Sequence, residues 1–272
     1  MMKSTIMNKM NRMFTAALLI GMAVFTGCSM DSDPNMGTMQ VKLHDAPADY
    51  DAVNIFIERV EVNNTAGDEG WQTISEPNQS YDLLELTNGV FEMIADVELE
   101  EGTYPQIRLI LSRDNNSVVV DGQENSLTIP SGSETGVKLN VNAEIKEGIV
   151  YTLLLDFDAL RSVVQTGQAE SPGYILKPVI RATNEALTGN IGGEVQPIEA
   201  RAAVFAISGD DTLSTTYADE QNGKFLLVGL EEGSYTVSVE PREDGFTGTS
   251  LSDVAVTLDQ TNDVGTITLE TP

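Results

Sequence analysis

Three groups of side chains in this 272-residue sequence have the types and spacing to do chemistry. The first is Cys28, the one cysteine. A lone thiol cannot close a disulfide within the chain, so it is either a point of covalent attachment or an incidental residue. The second is a set of aspartates. Asp45, Asp49 and Asp51 fall in one short stretch, and Asp156 and Asp158 stand at i and i+2, on one face of an extended strand. Carboxylate oxygens so spaced can hold Ca²⁺. Aspartates at loop starts also cap turns, and with 42 acidic residues chance clusters are common; capping is the favoured reading. The third group is aromatic. Tyr50 and Trp71, the one tryptophan, offer faces on which a sugar ring can stack. Trp71 also sits in an alternating strand, where a tryptophan commonly packs as core or as a cross-strand partner.

Recognisable enzyme chemistry is hard to assemble from the rest. His44 is the one histidine. No nucleophile elbow, zinc-helix motif, phosphate loop or dinucleotide fingerprint occurs. A zinc site needs several His or Cys ligands. A carboxylate-pair hydrolase survives the counting of acids, but aromatic platforms are few. The chain carries 15 basic and 42 acidic residues, a net charge of −27. Such a balance repels nucleic acid and anionic headgroups, so no nucleic-acid partner is expected. No cofactor is expected beyond the Ca²⁺ considered above.

The elements that position these groups begin with a leader. Lys3, Lys9 and Arg12 precede an apolar run, Met13 to Phe25, which is too short to cross a bilayer at about 20 residues. Thr26 and Gly27 then lead into Cys28. This stretch resembles the bacterial lipobox, with Phe25 where leucine is usual. The resemblance implies residues 1–27 as a cleaved lipoprotein signal peptide, with acylation of the Cys28 sulfur and of the new amino group. Residues 28–37 follow as a polar, acylated, flexible tether. Ser29 after the cysteine is similar to bacterial sorting signals for the outer membrane, and Asp31 with Asp33 resembles the acidic export signal of Bacteroidetes surface lipoproteins. Whether the body faces the periplasm or the cell exterior stays open.

Beyond the tether the apolar pattern has period two. Val137, Leu139, Val141, Ala143 and Ile145 alternate with polar residues, as a half-buried strand requires. Val53, Ile55 and Ile57 alternate, then Val60 and Val62 continue in opposite phase, which predicts a bulge near Glu58 and Arg59. Trp71 to Ile74 pairs back across the turn run Asn63 to Gly67, and Asp121-Gly122 marks a tight hairpin. Tyr81 to Leu86 and Asp158 to Val164 allow a helical turn or two. Lys177, Arg108 and Arg181 interrupt apolar runs and are expected to pair with acids such as Asp156. The predicted fold is all-β: two tandem β-sandwich domains, 38–185 and 186–272, after the signal peptide and tether.

Two family resemblances follow. Leu43 to Val53 (LHDAPADYDAV), Tyr81 to Gly89 (YDLLELTNG), Gly102 to Leu109, Leu155 to Ala159 and Leu176 to Arg181 are similar to an uncharacterised bacterial lipoprotein domain. That likeness implies an anchored extracytoplasmic domain and brings no activity with it. Gly189 to Gly193, Asn222 to Phe225 and Val228 to Val237 resemble a carboxypeptidase regulatory-like domain of transthyretin type, the carbohydrate-binding-like fold. Its G-L-x-x-G-x-Y-x-V run reads as a hairpin with Tyr235, Val237 and Val239 facing inward. The expected function is a non-catalytic, membrane-anchored extracytoplasmic lipoprotein that binds or adheres, with glycan or a surface protein as partner. The alternative is a structural spacer or assembly subunit of an outer-membrane complex, and a weaker one is a hydrolase.

Overall fold

The computed structural model describes residues 35–271, except 66, 68, 131–135 and 169–170. The signal peptide, Cys28 and most of the expected tether lie outside the described residues. The strands begin at Met36, two residues before the expected start, because Met36 and Gly37 already pair with Glu100 and Leu99.

Thirteen strands build the first sandwich. They are β1 (Met36–Ala46), β2 (Ala52–Asn63), β3 (Trp71–Ser75), β4 (Gln79–Asp82), β5 (Glu92–Glu100), β6 (Gly102–Leu111) and β7 (Ser117–Val120). Then come β8 (Gln123–Thr128), β9 (Val137–Ile145), β10 (Val150–Asp158), β11 (Val163–Gln168), β12 (Ser171–Leu176) and β13 (Ile180–Asn184). One sheet has the order β13-β10-β1-β5; the other runs β11-β12-β8-β7-β2-β6-β9, with β3 and β4 also paired to β2. Between them lies one apolar cluster that includes Met39, Leu43, Ile55, Ile107 and Phe157. The alternation of β1 and β2 aims these side chains at it. Tyr81 to Leu86 makes a 3₁₀ turn, Leu83–Glu85, and a short helix α1 covers Ala159–Ser162.

The predicted bulge is present: the β2–β6 register shifts between Ile57 and Arg59. Both Val53–Ile57 and Val60–Val62 therefore reach the same core. The Asp121-Gly122 turn has positive φ at both residues, 52° and 73°, and Val120 pairs with Gln123 across it. That is the turn geometry whose twist matches a two-residue hairpin.

Seven strands form the second sandwich: β14 (Thr188–Gln196), β15 (Ala203–Ser208), β16 (Asp211–Tyr217), β17 (Lys224–Glu231), β18 (Gly233–Glu240), β19 (Thr249–Val256) and β20 (Thr261–Thr268). Their sheets are β17-β14-β20 and β16-β15-β18-β19, around a cluster that includes Ile191, Phe225, Leu227 and Val237. The two sandwiches share a plan. In each, the first strand lies between a parallel later strand and an antiparallel middle strand: β1 between β10 and β5, β14 between β20 and β17.

The G-L-x-x-G-x-Y-x-V run corrects one expectation. Tyr235, Val237 and Val239 are buried as predicted. However, β17 pairs with β14 while β18 pairs with β15 and β19, so the run is a corner between sheets and not a hairpin. Leu230 and Tyr235 are both buried, and the Tyr235 hydroxyl donates back to the Glu231 carbonyl at 2.8 Å. The first sandwich repeats the device at Leu99-Glu100-Glu101-Gly102-Thr103-Tyr104, where the Tyr104 hydroxyl donates to the Glu100 carbonyl at 3.1 Å. Each tyrosine ties the incoming strand end to the outgoing one, as tyrosine corners do in other sandwiches.

Candidate functional site at the joint between the sandwiches

Strand β1 carries the chemistry-bearing residues to one end. Its outward residues Lys42 and His44 would face water on a bare sheet, but Lys42 pairs with Glu185 and lies over the Phe91 ring, and His44 faces Leu226 and Gly229 of the second sandwich across a small cavity. The open edge of β17 is capped by a side chain. Asn88 Oδ1 accepts from the Leu226 N–H at 2.6 Å, and Asn88 Nδ2 donates to the Lys224 carbonyl at 3.2 Å. An amide so placed satisfies a strand edge that would otherwise invite pairing with another chain. Asn88 holds φ at 55°, a backbone state asparagine tolerates. Gly89 follows with φ at 82°, and a Cβ there would sit 2.6 Å from the Leu226 side chain.

Beside this cap lies a buried charge cluster. Arg181 donates one nitrogen to Asp156 Oδ2 and another to the Gly229 carbonyl, each at 3.0 Å, and so links the two sandwiches. His44 is buried, with Nδ1 3.5 Å from Asp156 Oδ1. Asp45 is fully buried; its Oδ1 accepts from the Ala159 N–H at 3.0 Å, and Oδ2 has no hydrogen-bond partner among the described residues. Burial pushes the Asp45 carboxyl well above the usual range, and the charges of Asp156 and Asp158 add to the effect. Asp158 caps α1 by accepting from the Arg161 N–H at 2.8 Å, and burial raises it too. Asp45, Asp156 and Asp158 are thus brought together at the ends of β1 and β10. Among the described residues no group of three or more His, Cys, Asp or Glu is arranged to hold a metal ion.

Asp49, Tyr50 and Asp51 sit apart from that cluster, in the loop between β1 and β2. Asp49 Oδ1 accepts from the Tyr217 hydroxyl at 3.0 Å and from Arg242 at 2.5 Å. The Arg242 guanidinium lies 3.9 Å from the centre of the Tyr217 ring. Burial, with Asp49 alongside, pushes the Tyr217 phenol up to about 12 despite Arg242. Asp51 Oδ2 accepts from the Gly122 N–H at 2.7 Å. Arg201 pairs with Glu220 and Glu243. Asp49, Asp51, Arg201, Glu220 and Arg242 line a cleft of about 450 Å³ between the sandwiches, with half-buried Tyr50 and Tyr217. Burial raises the Tyr50 phenol, and Tyr174 and Asp49 contribute. On the other side of the same loop, Asp156, Asp158, Arg161, Arg181 and Asp211 line a second cleft of about 500 Å³.

Trp71 is elsewhere, and the expected Tyr50–Trp71 stacking patch does not form. Tyr50 precedes the start of β2 while Trp71 pairs with Asn63 at its far end, a separation of about 35 Å along the strand. The Trp71 ring carries the Arg108 guanidinium at 4.1 Å and Lys138 at 5.7 Å. Arg108 also bonds to Glu61. Burial alone would raise Glu61, but hydrogen bonds from Arg108 and Arg59 outweigh it and hold that carboxyl below its ordinary range. Trp71 is therefore a cross-strand partner in a cation–π stack. Of the interrupting bases, Arg181 and Arg108 pair with acids as predicted, whereas Lys177 is exposed. Tyr217, Arg242, Arg201 and Asn88 belong to the site although no motif in the sequence marks them.

No helix among the described residues is long and apolar enough to cross a membrane. No curated protein sequence matches the chain. Among solved structures, it is similar to a type II cohesin–X-dockerin complex from Acetivibrio cellulolyticus (16% identity, TM-score 0.24), over 30% of this chain and 58% of that one. It is similar to the TIE protein of Bacillus anthracis (10% identity, TM-score 0.23), over 87% of this chain and 34% of that one. In these two cases the match spans less than two thirds of the other chain. A third similar structure is the minor pilin GBS52 of Streptococcus agalactiae (11% identity, TM-score 0.24), over 86% of this chain and 96% of that one. The model of a domain of unknown function, DUF4382, matches residues 36–178. That is more than half of the sequence, and the chain belongs to the DUF4382 family.

Proposed function

We propose that this is a lipid-anchored, extracytoplasmic, non-catalytic protein of the bacterial outer membrane that binds a neutral glycan in the cleft around Tyr50 and Tyr217. The observation that carries the binding reading is the lining of that cleft. It offers two tyrosine rings beside paired arginines and carboxylates, so ring stacking and hydroxyl recognition are available in one place. The net charge of −27 disfavours anionic sugars. Anchoring is supported by the lone Cys28 behind its apolar leader. The non-catalytic reading is supported by the commitments of the carboxylates: Asp156 is tied to Arg181 and Asp158 caps α1.

A second reading, a spacer or assembly subunit with the second sandwich as a transthyretin-type stalk, is favoured by the joint itself. Asn88, Arg181 and Asp49 fasten the two bodies at three places. A panel of soluble neutral oligosaccharides separates the readings. Saturable binding that is lost in Tyr50→Ala or Tyr217→Ala and kept in Trp71→Ala supports the cleft; no binding across the panel favours the spacer. For the anchor, Cys28→Ser is expected to release the protein from the membrane fraction, and unchanged retention overturns it.

A further inference from the structure

We infer that the end of the turn between β9 and β10, where Ile149 and Val150 lead into β10, together with Leu187, is a bilayer-contact surface that sets the orientation of the body on the membrane. The inference rests on the Cys28 anchor proposed above. Ile149, Val150 and Leu187 are 57%, 54% and 59% exposed; among the large hydrophobic residues described only Leu160, at the far end of β10, matches Val150, at 54%. They share one lateral cleft of about 590 Å³, floored by half-buried Val141 and Tyr151. It opens because β13 ends at Asn184, opposite Leu153, and among the described residues no strand continues that side of β10 from Val150 to Thr152.

The chain enters the body beside this surface. The Gly148 N–H donates to the Met36 carbonyl at 2.9 Å, and the Thr38 N–H donates to the Ile149 carbonyl at 3.0 Å. Eight peptide steps separate Cys28 from Met36. Fully extended they reach at most about 28 Å, and as a flexible coil about 16 Å. Acyl chains at Cys28 thus hold this end of β1 close to the bilayer, where exposed aliphatic side chains gain by leaving water. Strand β1 then runs 11 residues to Ala46, which places the Tyr50 cleft about 35 Å from the membrane-facing end, open to a ligand.

The charges around the turn say which lipid it meets. Exposed Glu100, Glu101 and Glu147 flank it, and Lys146 pairs with Glu144. That surface favours zwitterionic headgroups and is repelled by anionic ones. Apolar exposure without the tether would point equally to Val90, Phe91 and Met93, which are 52%, 44% and 40% exposed. Met93 pairs with Lys42, farther along β1 from the entry point, so the two surfaces can be told apart.

The test uses the acylated mature protein in vesicles of phosphatidylcholine and phosphatidylethanolamine that contain nitroxide-labelled lipid. One cysteine is added at a time, Ile149→Cys, Leu187→Cys, Met93→Cys or Asp210→Cys, and labelled with a polarity-sensitive fluorophore. The Cys28 sulfur is alkylated in the acylated chain, so the added thiol alone reacts. Several-fold stronger quenching at 149 and 187 than at 93 and 210 is expected. It should weaken when anionic lipid is added, and for the 187 label when Ile149→Asp and Val150→Asp are combined. An acylated protein quenched equally at all four positions, or more at 93, overturns the inference while the anchor stands. A chain whose mass shows no acyl groups, and whose Cys28 also takes the label, removes the anchor and the inference with it.

Discussion

The two sandwiches share a strand plan and a tyrosine corner, yet they differ in what their loops carry. In the first, the connection after the opening strand is Pro47 to Asp51; in the second, the equivalent connection is Pro197 to Ala202. The first contributes Asp49, Tyr50 and Asp51 to the 450 Å³ cleft, and the second contributes Arg201 to the same cleft. Equivalent loops of a repeated architecture therefore meet at the joint. What is common to both halves is the apolar frame; what differs is the polar equipment at one end. That division is the usual one between scaffold and site. The first sandwich also adds the hairpins β7–β8 and β11–β12, which widen its second sheet, and β13, the edge strand of its first sheet, whose Arg181 reaches the Gly229 carbonyl of the second sandwich.

The comparison breaks most readily at the corners. Leu99→Ala and Leu230→Ala remove equivalent, fully packed side chains, and each is expected to destabilise by about 2–5 kcal/mol. Because the joint fastens the halves, either change should lower one shared unfolding transition in denaturant. Two separate transitions in the unmodified protein, each sensitive to one leucine alone, would show that the halves fold independently.

Asn88→Ala sharpens the same point with a smaller effect. It leaves the Leu226 N–H and the Lys224 carbonyl without their side-chain partner at the β17 edge. The expected loss is about 1–3 kcal/mol, since these groups are partly solvated once freed. Hydrogen exchange at Leu226 should quicken while exchange at Leu43 stays protected. Equal quickening at both would mean that Asn88 supports the first core and not the joint.

Much of the frame was legible in the sequence, and most of the joint was not. Period-two alternation reports which face of a strand is buried, so the strands, the bulge at Glu58–Arg59 and the Asp121-Gly122 turn could be read locally. The corner at Leu230 to Tyr235 was read as a hairpin because a tight reversal looks the same whether the next strand pairs with the last or crosses to the facing sheet. Its twin, Leu99 to Tyr104, is a repeat that self-comparison of the sequence reveals. The cleft depends on pairs such as Asp49 with Tyr217 and with Arg242, separated by 168 and 193 positions. No local pattern encodes such pairs. Capping is the main local signal of the loop aspartates, and Asp158 is a cap; Asp45 differs, because it continues the inward phase of Met39, Val41 and Leu43 on β1 and α1 covers it at the strand end.

Asp45 gives the finest test, because the second sandwich has no counterpart to it. Its carboxyl is raised in the folded chain above the unfolded value near 3.8. The folded state therefore holds a proton that the unfolded state releases across that interval, and stability falls as pH rises through it. The favourable contribution is fully present below about 3.8 and is lost once pH passes the folded value. Asp45→Asn keeps an oxygen to accept from the Ala159 N–H and removes the ionisation. The variant should melt above the parent at pH 7, and the difference should shrink toward zero as pH approaches 3.8. A variant less stable than the parent at pH 7 would mean that the Asp45 carboxylate is compensated at the end of β1, and that burial there is not what governs it.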